Sequence, residues 1–202
     1  LFRQDAVEMT AHYLGIRMNE AILAALEALD EQDMENTEKC MEYFRKYALR
    51  ADSFLEGHPT WRLSRWLSFA RSHGTSPEEK NKYEQNARRL VTRWGPPVDD
   101  YAAKIWSGLI RDYYLPRWEH FIQSRLSEKN PDMGAWEEKW VRSTGVSAAH
   151  APGDLVNACR QAIREAPPLP SSLKRKAAGS IIGNWTSATV STCLLYTSPS
   201  PR

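Results

Sequence analysis

Ser76-Pro77-Glu78-Glu79-Lys80-Asn81-Lys82-Tyr83-Glu84-Gln85-Asn86-Ala87-Arg88-Arg89-Leu90-Val91-Thr92-Arg93-Trp94-Gly95-Pro96-Pro97 carries its own punctuation. Ser76 suits a helix N-cap, Pro77 the first helical position, and Glu79 the third residue of a capping box. Gly95-Pro96-Pro97 cannot continue a helix, because proline lacks the N–H and clashes with the preceding turn. The spacing therefore predicts a helix from Ser76 to Trp94, closed by a Gly-Pro break.

Upstream, a short helix over about 60–72 carries Leu63, Trp66, Leu67 and Ala70, and Gly74 stands at the C′ position. Before it, Met41, Phe44, Ala48, Ala51 and Leu55 fall on one stripe of a helix over 37–55, stopped by Gly57-His58-Pro59. A long first helix over roughly 3–30 follows from Ala6, Val7, Met9, Tyr13, Leu14, Ala21, Ile22, Ala25, Leu26 and Leu29. Gly15 weakens its middle without forbidding it.

Downstream, the spacing predicts a long helix from Asp99 to Ser127, bent near Tyr113 by Pro116. A sixth helix fits 133–142 with Trp136 and Trp140 at i, i+4, a loop 143–153, and a seventh helix 154–166 with Asp154 as cap. Pro167-Pro168-Leu169-Pro170 reads as a turn, and a last short helix near 172–182 can dock the Trp185 segment. Gly179 and Gly183 weaken any strand within 177–190. The short joins between helices two and five predict antiparallel neighbours. The expected fold class is all-α, an irregular antiparallel bundle of about seven or eight helices.

Composition agrees. The 202 residues are 42% hydrophobic and 26% charged and include eight Trp, which suits a globular chain and excludes disorder. A complete (β/α)8 barrel needs about 250 residues, so a whole one is excluded. Apolar runs fall short of the roughly 18–20 residues of a membrane span, so no membrane span is expected. Lys and Arg total 27 against 25 Asp and Glu, a net charge of +2. That is too near neutral for electrostatics to drive nucleic-acid binding, and no nucleic-acid partner is expected.

The chain opens on Leu1, which predicts a missing native beginning. Cys193-Leu-Leu-Tyr-Thr-Ser-Pro-Ser-Pro-Arg202 resembles the translation of a transposon-type sequencing adapter, as found in frames from environmental reads. It is set aside from the fold. The expected organisation is one domain over 1–192 and a disordered tail over 193–202.

Few motifs carry chemistry. A phosphate-binding glycine loop, a Gly-x-Ser-x-Gly elbow and a His-Glu-x-x-His site are all missing from the sequence. His12, His58, His73, His120 and His150 share no ligand spacing with Cys40, Cys159 or Cys193, so no metal and no cofactor is expected. The pairs Glu78-Glu79, Asp99-Asp100 and Glu137-Glu138 read as charges at helix starts, where the macrodipole favours them. Trp61-Arg62, Arg65-Trp66, Arg93-Trp94 and Arg117-Trp118 read as Arg stems laid over indole faces.

The segment 83–121 is distinct. It gathers Trp94, Tyr101, Trp106, Tyr113, Tyr114 and Trp118 around the Gly-Pro break. Two readings stay open: a large aromatic core, or an aromatic wall at a loop, where rings stack on an apolar sugar face and a Tyr hydroxyl bonds it.

Tyr83-Glu-Gln-Asn86, Trp94-Gly95-Pro96, Asp100-Tyr101-Ala102, Trp106-Ser107-Gly108-Leu109 and Asp112-Tyr113-Tyr114-Leu115-Pro116-Arg117-Trp118 resemble the C-terminal helical domain of the α-N-acetylglucosaminidases, glycoside hydrolase family 89. Phe2-Arg3-x-Asp5 and Leu63-x-x-Trp66-Leu67-x-x-Ala70-Arg71 extend the resemblance over roughly 2–142. Beyond Val146 it is faint, with Gly183-Asn184-Trp185 similar to the family's closing segment.

The resemblance implies a parent with a small N-terminal domain, a catalytic (β/α)8 barrel and this helical domain. It implies removal of terminal α-linked N-acetylglucosamine with retention, by two Glu of the barrel. No residue of this chain is then catalytic, and the isolated chain is expected to be inactive. The implied partners are the barrel of the same parent chain and the terminal N-acetylglucosamine of a glycan. Trp94, Val98 and Tyr101 are implied to line the sugar pocket, Trp94 and Tyr101 by identity and Val98 by apolar character and spacing. Family habit implies an extracytoplasmic setting. The competing reading is a free-standing helical binding or scaffold module.

Overall fold

The computed structural model describes residues 2–93, 104–147, 149–151 and 153–173. Outside these lie residues 99–103 of the expected fifth helix, most of the helix expected near 172–182, the weak strand and the 193–202 tail.

Helix α1 (Phe2–Asp30) buries Val7, Leu14, Met18, Ile22 and Ala25 on one side and Ala24 and Ala28 on another. It is apolar nearly all round between Met18 and Ala28, as a central helix must be. Gly15 does not interrupt it. A Cβ there would stand 2.9 Å from the Ile105 Cδ1 atom, so the missing side chain is what lets Ile105 close on the helix.

A tight turn folds the chain back into α2 (Met34–Glu56). The Asp33 N–H bonds the Ala28 carbonyl at 2.8 Å, and its carboxylate caps the Asn36 N–H at 3.1 Å. α2 buries Phe44, Tyr47, Ala48, Ala51 and Leu55 along α1. A 3-10 turn (Pro59–Trp61) leads to α3 (Leu63–Ser72), and Ser76 caps α4 (Pro77–Leu90) through the Glu79 N–H. Glu79 closes the box one residue further back than expected, on the Thr75 N–H at 2.8 Å.

α4 ends at Leu90, not at Trp94. The Val91 and Thr92 N–H groups turn back to the Arg88 and Arg89 carbonyls, tightening the end four residues before the Gly-Pro break. The next helix departs further from expectation. Regular α5 spans Leu115–Leu126, preceded by a π turn over Ile110–Tyr114, and residues 104–108 are not helical. Gly108 has φ +83°, which a right-handed helix excludes. The bend expected from Pro116 is the π turn: proline has no N–H for the usual bond, and the helix widens by one residue ahead of it.

α6 (Met133–Val141) and α7 (Leu155–Glu165) fall where the spacing puts them, each capped by an Asp. α7 buries Ala158 and Ala162 against α1 and α2. The Tyr13 and Tyr47 hydroxyls donate to the Ala166 and Pro167 carbonyls, both at 2.7 Å, and hold the end of α7 across the α1–α2 pair. Among the described residues the fold is all-α, with seven α-helices and a single isolated bridge between Arg62 and Ser107.

Candidate functional site

Trp94, Val98 and Tyr101 lie outside the described residues, as does the Asp99-Asp100 pair. The structure does describe both flanks of the segment that carries them, and both are fixed by partly buried contacts.

On the incoming side Arg93 reaches two places on α6. Its Nη1 donates to the Gly134 carbonyl at 3.4 Å, and its Nε stands 3.6 Å from a Glu137 carboxylate oxygen. Glu137 is buried and accepts from the Arg117 Nε at 2.7 Å. Its neighbour Glu138 accepts from Arg89 and Arg142, and those bonds hold its carboxyl below the usual range. These two carboxylates therefore do not sit at a helix start. They occupy the middle and end of α6 and bind α4, α5 and the approach to Trp94 together.

On the outgoing side the Lys104 N–H donates to the Tyr114 hydroxyl at 3.2 Å, and Ile105 packs against Gly15. Trp106 meets Trp66 edge-on with centroids 6.1 Å apart. Ser107 pairs as a strand residue would: its N–H donates to the Trp61 carbonyl at 2.7 Å, and its carbonyl accepts from Leu63 at 2.9 Å. Its hydroxyl donates to Glu56 at 2.7 Å.

Gly108 closes this corner. Its N–H donates to Asp52, and a Cβ there would come within 2.5 Å of Val146 and 3.2 Å of Leu63. Asp52 is fully buried and also accepts from the Arg111 Nε at 2.9 Å. Burial pushes its carboxyl above the ordinary value, against the pull of these bonds.

Glu84 anchors the region from the α4 side. It accepts from Arg88 at 2.8 Å, from Arg71 at 2.7 Å and from the Gly145 N–H at 3.2 Å. Burial would raise its carboxyl, but the Arg88 and Arg71 bonds outweigh it and hold it low. Arg88 also lies over the Trp140 ring at 4.7 Å.

The aromatic segment divides. Tyr113, Tyr114 and Trp118 are core, with Tyr113 tilted against Trp136 and Trp140 at centroid distances of 5.8 and 4.7 Å. Trp106 is half-buried. Of the histidines, His58 caps the 3-10 turn, His73 ends α3 against Phe69, and His120 stacks on Trp136. Among the described residues no cluster of His, Cys, Asp and Glu could hold a metal ion, and no helix is long and apolar enough to cross a membrane.

A family model described as the alpha-N-acetylglucosaminidase (NAGLU) C-terminal domain matches residues 1–165. The chain belongs to this family. It is also similar to human alpha-N-acetylglucosaminidase, 40% identical over 75 residues, covering 36% of this chain and 10% of the human protein. The fold matches a family 89 glycoside hydrolase from Clostridium perfringens in complex with PUGNAc. The TM-score is 0.71 at 24% identity, over 82% of this chain and 21% of that one. The same organism's enzyme, with two Glu-to-Gln substitutions and its substrate GlcNAc-alpha-1,4-galactose, matches with a TM-score of 0.69 at 25% identity. That match covers 80% of this chain and 20% of the other. The chain thus spans a tenth to about a fifth of the length of these relatives.

Membership changes how the motifs read. Glu84, Ser107, Gly108, Asp112, Tyr113, Arg117 and Trp118 all belong to the stretches that carry the resemblance, and each is engaged in an internal contact or buried in the core. Asp52, Glu56 and Glu137 are the partners that sequence reasoning missed. A charge on the buried side of α2 was the available signal for Asp52, which follows Ala51 on the apolar stripe.

Proposed function

We propose that this chain is the C-terminal helical part of a larger glycoside hydrolase that removes terminal α-linked N-acetylglucosamine. In this reading its role is to pack on a catalytic barrel of the same polypeptide and to complete one side of the substrate cleft. Trp94, Val98 and Tyr101 face the sugar, the two rings stacking on its apolar face and the Tyr101 hydroxyl bonding it. The domain runs over 1–192, and Cys193–Arg202 is adapter-derived sequence. The setting is extracytoplasmic, as family resemblance suggests.

One observation carries the reading. Arg93 and Lys104, the two ends of the segment 94–103, are both held: Arg93 by Gly134 and Glu137 of α6, the latter gripped in turn by Arg117, and Lys104 by Tyr114. Rigid support on both sides of a short segment is what a substrate-positioning loop requires. No nucleophile and acid pair is needed from the helices themselves.

The test is hydrolysis of an aryl α-N-acetylglucosaminide by the complete polypeptide and by this chain alone. The complete polypeptide is expected to turn over and this chain to be inert. Turnover by the purified chain, or a complete polypeptide active only on another glycoside, contradicts the proposal.

A further inference from the structure

An open cleft of about 580 Å3 lies between α3, α4 and the 144–146 loop, with Leu67 and Val146 as its apolar lining. One buried carboxylate ties its three walls together. Glu84, its side chain 3% exposed, accepts from Arg88 of its own helix, from Arg71 of α3 and from the Gly145 N–H of the loop. The same bond orients Arg71. Its Nη1 donates to Glu84 at 2.7 Å and to the Asn81 side-chain oxygen at 2.9 Å. Its Nε and Nη2 groups have no partner among the described residues. The guanidinium is thus held by one corner, and the edge it leaves free is the one that binds oxyanions through two parallel hydrogen bonds. The Ser64, Ser68 and Thr144 hydroxyls line the same cleft and bond nothing among the described residues. Ser72 and Ser143, just outside it, donate to the Phe69 and Trp140 carbonyls at 2.7 Å.

We propose that this cleft binds the oxyanion group, phosphoryl or carboxylate, of a small molecule, on the free edge of Arg71 and among the hydroxyls of Ser64, Ser68 and Thr144. Two features select that chemistry. Donors dominate the lining, because the free guanidinium edge and the hydroxyls face a single carboxylate whose oxygens already accept from two arginines and a backbone N–H. Arg71 and Arg88 also stand against Glu84 alone, which leaves one positive charge on the trio. The volume lies in the range of small-molecule sites, so the anionic group belongs to a molecule larger than a free ion. Binding here does not depend on the function proposed above.

Titration of this chain with inorganic phosphate, with acetate and with glucose at constant ionic strength tests this, read from the Arg71 Nε–H and Gly145 N–H resonances. Phosphate or acetate should give saturable shifts and glucose none, and the tighter of the two anions names the group. Ser68→Asp puts a carboxylate into the cleft from an exposed position and should weaken binding by about tenfold or more. Ser72→Asp makes the same charge change on α3 outside the cleft and should leave binding as it was. Thermal midpoints of the two unliganded variants, expected to match the parent chain, show that the fold is kept. Shifts that never saturate, or that weaken equally in both variants, mean an adventitious ion only and overturn the proposal. Binding of glucose in place of the anions overturns it too. In the complete polypeptide the tighter anion should raise the thermal midpoint, and less so in Ser68→Asp. An equal rise in both, or none in either, means that the cleft is not open to the anion there and contradicts the site.

Discussion

Asp52 accepts the backbone N–H of Gly108 across 2.7 Å, from a side chain with no exposure to solvent. A buried carboxylate on α2 thereby fixes the corner through which the chain returns from 94–103. The corner needs glycine twice over, for its positive φ and for the space that Val146 and Leu63 occupy. Gly108→Ala should cost about 1–3 kcal/mol in backbone strain and a comparable ~1–3 in overpacking. Urea unfolding of the chain measures it, and a loss below about 0.5 kcal/mol, the ordinary range of a surface change, refutes the role given to the corner.

Glu137 and Arg117 are a buried ion pair at 2.7 Å, so losing one partner strands the other. Glu137→Leu alone should destabilise by roughly 3–5 kcal/mol, and the double variant E137L/R117M should recover much of that. Denaturant midpoints of the three proteins check it. Additive losses would mean that the two residues do not act as a pair.

The acid limb of stability should be set by Glu84 and opposed by Asp52. A carboxyl held low in the fold stabilises above its unfolded pKa and loses that contribution as pH falls through the folded value. Glu84 is of this kind. Asp52 is raised, so its contribution is present at low pH and lost as pH rises through the folded value. Thermal midpoints between about pH 7 and pH 3 should fall on acidification, less steeply in Glu84→Gln and more steeply in Asp52→Asn. The reverse order of slopes would contradict the pairing seen here.

Cysteine reactivity gives an independent check on the core. Cys40 is buried and its thiol is pushed up to about 11, first by burial and then by the Asp33 charge. Cys159 is half-buried. Iodoacetamide at neutral pH should label Cys159 in the native chain and spare Cys40 until denaturant is added, read by peptide mass spectrometry. Rapid native labelling of Cys40 would show that α2 does not pack as described.

Much of this fold was legible because helix punctuation is local chemistry. Ser76, Asp154 and the apolar stripe of α2 needed only their neighbours in sequence to act. The errors came where distant residues decide. α4 stops at Leu90, four residues short of the Gly-Pro break that was read as its end. Residues 107 and 108 leave the helix because Asp52, Trp61 and Leu63, 44 to 56 positions away, take their backbone groups. Glu137 and Glu138 looked like first-turn charges because their arginine partners on α4 and α5 cannot be seen from spacing. The burial of Tyr113 and Trp118 was equally hidden, since what packs around them comes from elements distant in sequence.

The central claim is that the buried contacts of this chain hold 94–103 so that Tyr101 meets the sugar. Tyr101→Phe tests it most directly, because it removes a single hydroxyl. The account predicts an unchanged unfolding midpoint for the chain. In the complete enzyme it predicts a fall in kcat/KM on an aryl α-N-acetylglucosaminide of about 2–13-fold, the equivalent of ~0.5–1.5 kcal/mol for a neutral hydrogen bond. A destabilised chain together with unchanged kinetics would contradict it and return Tyr101 to the core.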